Sequence, residues 1–211
     1  AIGLAIFVVR VLYNKGQTDF IEYRIAKENV PFLSDIPVLK MFFINVQYTS
    51  FVAIALAFVV WFVIFKTPFG LRLRSVGEHP MAADTMGINV TKMRFMGVML
   101  SGAFGGLAGA VYAVTVTTNF SGTTIVGQGF LAIAAMIFGK WNPLGALGAG
   151  LFFGFAQALS IIGSNLPVIN NVPQLLLLIA PYALTILALA GLVGRADAPK
   201  SVGIPYIKGK R

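Results

Sequence analysis

Of 211 residues, 57% are hydrophobic and only 11% charged, and the mean hydropathy of +0.84 lies outside the range of an ordinary soluble domain. The formal charge of +9 is not arranged as a basic patch on a soluble fold, which argues against a nucleic-acid partner. With no cysteine in the chain, disulfides, thiolate metal sites and cysteine nucleophiles are excluded.

The chain opens on an apolar run, residues 1–9, with neither an initiator Met nor a basic stretch before it. That is neither a signal peptide nor a complete span, so the expectation is the tail of a helix that begins upstream, in a C-terminal part of a longer protein. Residues 14–40 are polar, carry scattered charge and are broken by Pro31 and Pro37. They read as an outer loop with a short amphipathic helix over 20–28.

A bilayer core takes about 20 apolar helical residues to cross. The uncharged intervals 41–65, 95–139 and 141–194 hold 25, 45 and 54 residues, room for one, two and two crossings. Turn-formers at 119–122 and 163–173 mark the divisions. The expected fold is therefore all-α, a polytopic transmembrane helical bundle of about five complete spans plus a partial N-terminal one, forming a single domain over 1–211. Paired crossings return Arg94, Lys140 and Arg195 to one side, where the charges sum to +8 against +1 on the other. By the positive-inside rule, residues 67–94 and the tail 195–211 are cytoplasmic and 14–40 extracellular.

Residues 67–94, TPFGLRLRSVGEHPMAADTMGINVTKMR, form a basic island between charge-free runs. Pro80 suits a first helical turn, Ala82, Ala83 and Met86 follow at helical spacing, and Gly87 is placed to end the helix. One or two helical turns with an apolar docking side are expected here. Further on, Gly102/Gly106 and Gly105/Gly109 form overlapping GxxxG pairs, spacing that lets helix backbones approach closely, and Gly150 and Gly154 repeat it. The stretch 122–129, GTTIVGQG, is built for a broken or re-entrant helix, with Thr123, Thr124 and Gln128 as candidate lining of a pathway.

The five expected spans contain no Asp, Glu, Lys, Arg or His, so they offer no proton relay or ion-coupling carboxylate. There is no P-loop, HExxH or nucleophile elbow, and the single histidine, His79, reads as a surface residue of the island. No catalytic or metal-binding residue is expected, and any work done on a substrate is powered from elsewhere.

Thr67, Phe69, Gly70, Leu73, Arg74, Gly77, Pro80, Ala82, Ala83, Gly87 and Ile88 fall in the pattern T-x-F-G-x-x-L-R-A-x-G-x-N-P-x-A-A-x-x-x-G-I, with Ser75 and His79 departing from it. Ser101-Gly102 to Gly109, then Gly129-Phe130, Ala132 to Ala134, Gly139, Asn142-Pro143 and Phe153-Gly154 follow in order. In these features the chain resembles the permease subunits of binding-protein-dependent ABC importers, the class that handles simple sugars, nucleosides and branched-chain amino acids. The ending, Ala198-Pro199-Lys200 and Pro205-Tyr206-Ile207-Lys208, is similar to that of nucleoside permeases, guanosine permeases among them.

The resemblance implies a multi-pass protein of the bacterial plasma membrane with a cytoplasmic C-terminus. It implies a separate ATPase subunit that binds the ATP, a second permease subunit, like or unlike, an extracellular substrate-binding lipoprotein, and surrounding lipid, with no cofactor on this chain. Residues 67–94 become the coupling loop, with Gly77, Glu78, Pro80, Ala82, Ala83, Gly87 and Ile88 meeting the ATPase. The alternatives are a permease for a simple sugar such as ribose, or, from another class, a secondary carrier or channel.

Overall fold

The computed structural model describes residues 2–21, 27–28, 46–122, 124, 127–162, 179, 183, 186 and 198–208. These divide into two compact units, Ala1–Leu56 with Arg94–Val126, and Ala57–Met93 with Gly127–Arg211.

In the first unit, α1 (Ile2–Tyr13) ends where Asn14 turns left-handed at φ 53° and donates its N–H to the Arg10 carbonyl at 3.0 Å. The following residues run extended against 118–121. Thr18 and Ile21 donate their amides to Phe120 and Thr118 at 2.9 and 2.8 Å, and Phe120 returns its own to the Thr18 hydroxyl at 2.9 Å. Beyond them β1 (Lys27–Glu28) pairs antiparallel with β2 (Val46–Gln47). Of the amphipathic helix expected over 20–28, Phe20, Ile21, Lys27 and Glu28 are not helical, and 22–26 lie outside the described residues. The amide of Ile21 bonds to Thr118, nearly a hundred residues away, which ties this end of the segment to 118–121.

Among the described residues, two helices are long and apolar enough to cross a membrane: α2 (Tyr48–Lys66), and α5 (Val90–Tyr112) with its π-helical extension Ala113–Thr117. Thr118 ends the latter in the left-handed region, φ 58°. Val52, Phe58, Val59 and Phe62 of α2 are each more than half exposed. A surface of that kind is stable against lipid or another protein, not against water. Between α2 and α5 lie two shorter helices, α3 (Pro68–Glu78) and α4 (Pro80–Thr85).

In the second unit, α6 (Gln128–Phe138) and α7 (Pro143–Ile162) pack as a helical hairpin. Eleven residues rise only about 16 Å, so α6 is half a span, and the described residues between Thr117 and Gln128 are not helical. The broken or re-entrant helix expected over 122–129 falls in part on 123, 125 and 126, outside the described residues, and α6 begins only at Gln128. The hairpin turn explains its own sequence. A methyl group on Gly139 would fall on the backbone of Gly145 and Ala146, so only glycine fits. Asn142 caps α7 by accepting the Leu144 amide at 3.0 Å, and Pro143 occupies the first helical position. Phe138 meets Phe153 edge-on at 5.2 Å, burying Phe153 to 5% exposure.

The second crossing expected within 141–194 falls on 163–197, outside the described residues but for Ile179, Ala183 and Ile186. Gly102, Gly105 and Gly106 have open space where a side chain would project, as do Gly150 and Gly154. Among the described residues no neighbouring helix closes on those glycines.

Candidate functional site

The island 67–94 is a folded module with a defined joint at each change of direction. Thr67 makes the first. In extended conformation (φ −114°, ψ 155°) it caps α3 by accepting the Gly70 amide at 3.3 Å, and its hydroxyl donates back to Val63 of α2 at 2.6 Å. Pro68 follows at the position where a missing N–H costs nothing. Gly70 is buried, and a methyl group there would strike the carbonyl oxygens of Val63 and Ile64. At the same corner the Arg74 guanidinium lies 4.8 Å from the centre of the Phe65 ring, and Lys66 lies over Trp61 at 5.8 Å. Aromatic and cationic groups paired at a helix end suit the boundary between hydrocarbon and water.

His79 is the second joint, shared as the end of α3 and the start of α4, at φ −137° and ψ 81°. It donates its N–H to Ser75 at 2.9 Å and accepts that of Ala83 at 3.0 Å. Its place in the module is a backbone one.

The third joint closes α4. Gly87, at φ 80°, donates to the Asp84 carbonyl at 2.9 Å, and Ile88 donates to that of Ala83 at 3.0 Å. This is the paired-bond helix ending that a left-handed glycine permits, with Ile88 packed near Ala83 as its apolar contact. Asn89 then caps α5, accepting the Lys92 amide at 2.9 Å.

These joints fold the module around a small core of Val76, Ala83, Val90 and Met93, with Phe69, Leu73, Ile88 and Tyr206 packed against it. Tyr206 comes from the C-terminal tail. The residue is half-buried, its hydroxyl is bonded to the Asp84 carboxylate, and Lys208 approaches the same carboxylate at 3.8 Å. Burial first, then the bond to Asp84 and its negative charge, push the phenol above its ordinary pKa. Ser201 ties the tail to the end of α3, its N–H to Gly77 at 3.0 Å and its hydroxyl to the Glu78 carbonyl at 3.2 Å. The island and tail assigned to one side from charge parity thus meet.

The candidate contact residues separate by face. Ala82 and Glu78 are exposed, Pro80, Gly77 and Ile88 are half-buried, and Ala83 is in the core at 4% exposure. Gly87 is exposed but serves the turn. Two outward residues, Met81 at 47% and Met86 at 82% exposure, were not singled out for docking. Their signal was the phase of a helix that buries Ala83. Of the candidate pathway residues, Thr123 lies outside the described residues. Thr124 is buried and its hydroxyl accepts the Ser121 amide at 2.8 Å, a turn-closing bond, while Gln128 is half-buried at the first position of α6. Among the described residues no three His, Asp or Glu side chains gather as a metal site would require.

The family described as branched-chain amino acid transport system permease component matches residues 1–189. The chain belongs to this family. As such a permease it is a membrane protein, which is the setting that the exposed apolar surface of α2 requires. Over its full length the permease is 65% identical to the guanosine ABC transporter permease protein NupQ of Bacillus subtilis, and over 99% of its length 51% identical to the nucleoside ABC transporter permease protein NupC of Lactococcus lactis. It covers 66% of each of those proteins. A putative glucose ABC transporter permease, TsgC13 of Haloferax volcanii, is 30% identical over 79% of the permease and 56% of its own length. No solved structure matches.

Proposed function

We propose that the permease forms part of the membrane path of an ABC importer for nucleosides, guanosine among them, and is driven by an ATPase on a separate subunit. The substrate rests on the 65% and 51% identities to proteins named for guanosine and nucleoside transport, against 30% to one named for glucose.

The observation that carries the mechanism is α4. Six residues are too few to hold a helix alone. Here the helix is closed at its C-terminal end by Gly87 and Ile88, seated through Ala83 on a core shared with α3 and α5, and left with Met81, Ala82 and Met86 facing outward. A rigid apolar ridge of this kind fits a groove on a partner and transmits its displacement to the helices on either side. The ATPase presses on α4 from the cytoplasm of a bacterial cell, and α2 and α5, directly joined to the module, carry the movement into the membrane. A second permease subunit completes the path, covering apolar surface that the described residues leave open. A substrate-binding lipoprotein delivers the nucleoside from outside. Gln128, at the break before α6, is the pathway residue this reading favours within the described chain.

The test is uptake and assembly by the whole transporter. Cells carrying it should accumulate labelled guanosine in preference to ribose, and Ala82→Arg, which alters only the ridge, should release the ATPase subunit on purification. Uptake of ribose without guanosine would overturn the substrate. Retention of the ATPase by the Arg variant would overturn the docking role. Ala83→Arg is the wrong probe, because it buries a charge in the module core.

A further inference from the structure

We propose that the C-terminal tail, residues 198–208, is a brace that locks the joint between α3 and α4, with Tyr206 as its positioning residue. The proposal rests on the coupling role of α4 stated above and adds to it a requirement outside the loop.

The joint at His79 is one non-helical residue with no side-chain cap. Left to itself, such a joint lets a six-residue helix swing, and a push on a swinging helix is lost as local motion. The tail bridges both sides of it. On the α3 side Ser201 satisfies carbonyls of the last turn, Gly77 and Glu78, which lack helical partners. On the α4 side Tyr206 adds its ring to the cluster containing Ala83 and its hydroxyl to Asp84. Between the anchors the tail is itself folded, with Val202 bonded to Pro199 at 3.1 Å, Ile204 to Ser201 at 3.3 Å, and Gly203 left-handed at φ 76°. Of the partly buried side chains packed on the module core, Tyr206 alone comes from outside residues 67–93 among the described residues. A cleft of about 360 Å3 lined by Asp84, Asn89, Thr91, Tyr206 and Lys208 remains beside it. The tail therefore holds through these anchors and not through a continuous apolar seam.

The experiment uses the full-length permease with its partner subunits in liposomes, reading ATP hydrolysed per guanosine imported. Tyr206→Ala should raise that ratio at least about fivefold, the lower end of ordinary coupling factors, while the ATPase subunit still co-purifies. Tyr206→Phe, which keeps the ring, should restore most of the coupling. A spin label at Thr85→Cys, exposed on α4 but outside the docking ridge, should become more mobile in the Ala variant. Should Tyr206→Ala fail to assemble, Ser201→Pro, which removes the N–H that Gly77 accepts, carries the same expectation. An unchanged ratio and an unchanged label in the assembled variant overturn the brace while Ala82→Arg still releases the ATPase. Retention of the ATPase by Ala82→Arg overturns the coupling role and the brace together.

Discussion

Gly70 packs backbone to backbone against Ile64, so closely that a methyl group on its Cα would fall on the Ile64 carbonyl oxygen. That contact lets the chain leave α2 and turn at once into α3. Gly70→Ala forces backbone atoms apart, and overpacking of this kind costs about 3 kcal/mol. The expected outcome is a large drop in unfolding free energy in detergent, whereas Gly102→Ala, which meets open space, should leave it nearly unchanged.

Thr67 holds the same corner with two bonds, to Gly70 and to Val63. Thr67→Ala should destabilise by about 1 kcal/mol, the usual loss of a helix cap, and Thr67→Ser should recover most of it. Equilibrium unfolding of the three proteins decides the matter.

The two glycines of the motif around α4 should respond with opposite sign. Gly87 is left-handed, so Gly87→Ala costs about 1 to 2 kcal/mol. Gly77 is helical, and an added methyl there meets only the Pro199 Cβ at 3.7 Å, an ordinary contact. Gly77→Ala should be neutral or stabilising by about 0.5 kcal/mol. A Gly77→Ala permease that is stable yet loses its ATPase would assign that glycine to the docking surface.

Tail docking should be insensitive to pH through the neutral range. The Tyr206 phenol is raised above 10.0 in the folded state, so the contribution of its neutral form is fully present below the unfolded value and is lost as pH rises through the folded one. A label at Val202→Cys should stay immobile until pH passes 10.0, and release within the neutral range would contradict this. Lys208→Ala should matter little. At 3.8 Å, with side chains 80% and 27% exposed, the pair with Asp84 is worth about 0.5 kcal/mol or less.

Periodicity and charge alone determined that this is a membrane-embedded helical chain, where α2 and the start of α5 lie, and that a basic island interrupts them. Those properties follow from local composition, because a hydrocarbon layer sorts residues by transfer free energy whatever their neighbours. Turn chemistry was equally local, as Gly87 after α4 demonstrates. The tertiary structure alone decided which side of α4 faces out, since burial of Ala83 depends on Val76, Val90 and Met93 arriving from other elements. It also decided that residues 17–21 pair with 118–121 and that Tyr206 reaches Asp84. Such contacts join segments far apart in the chain, and no window of sequence contains both partners.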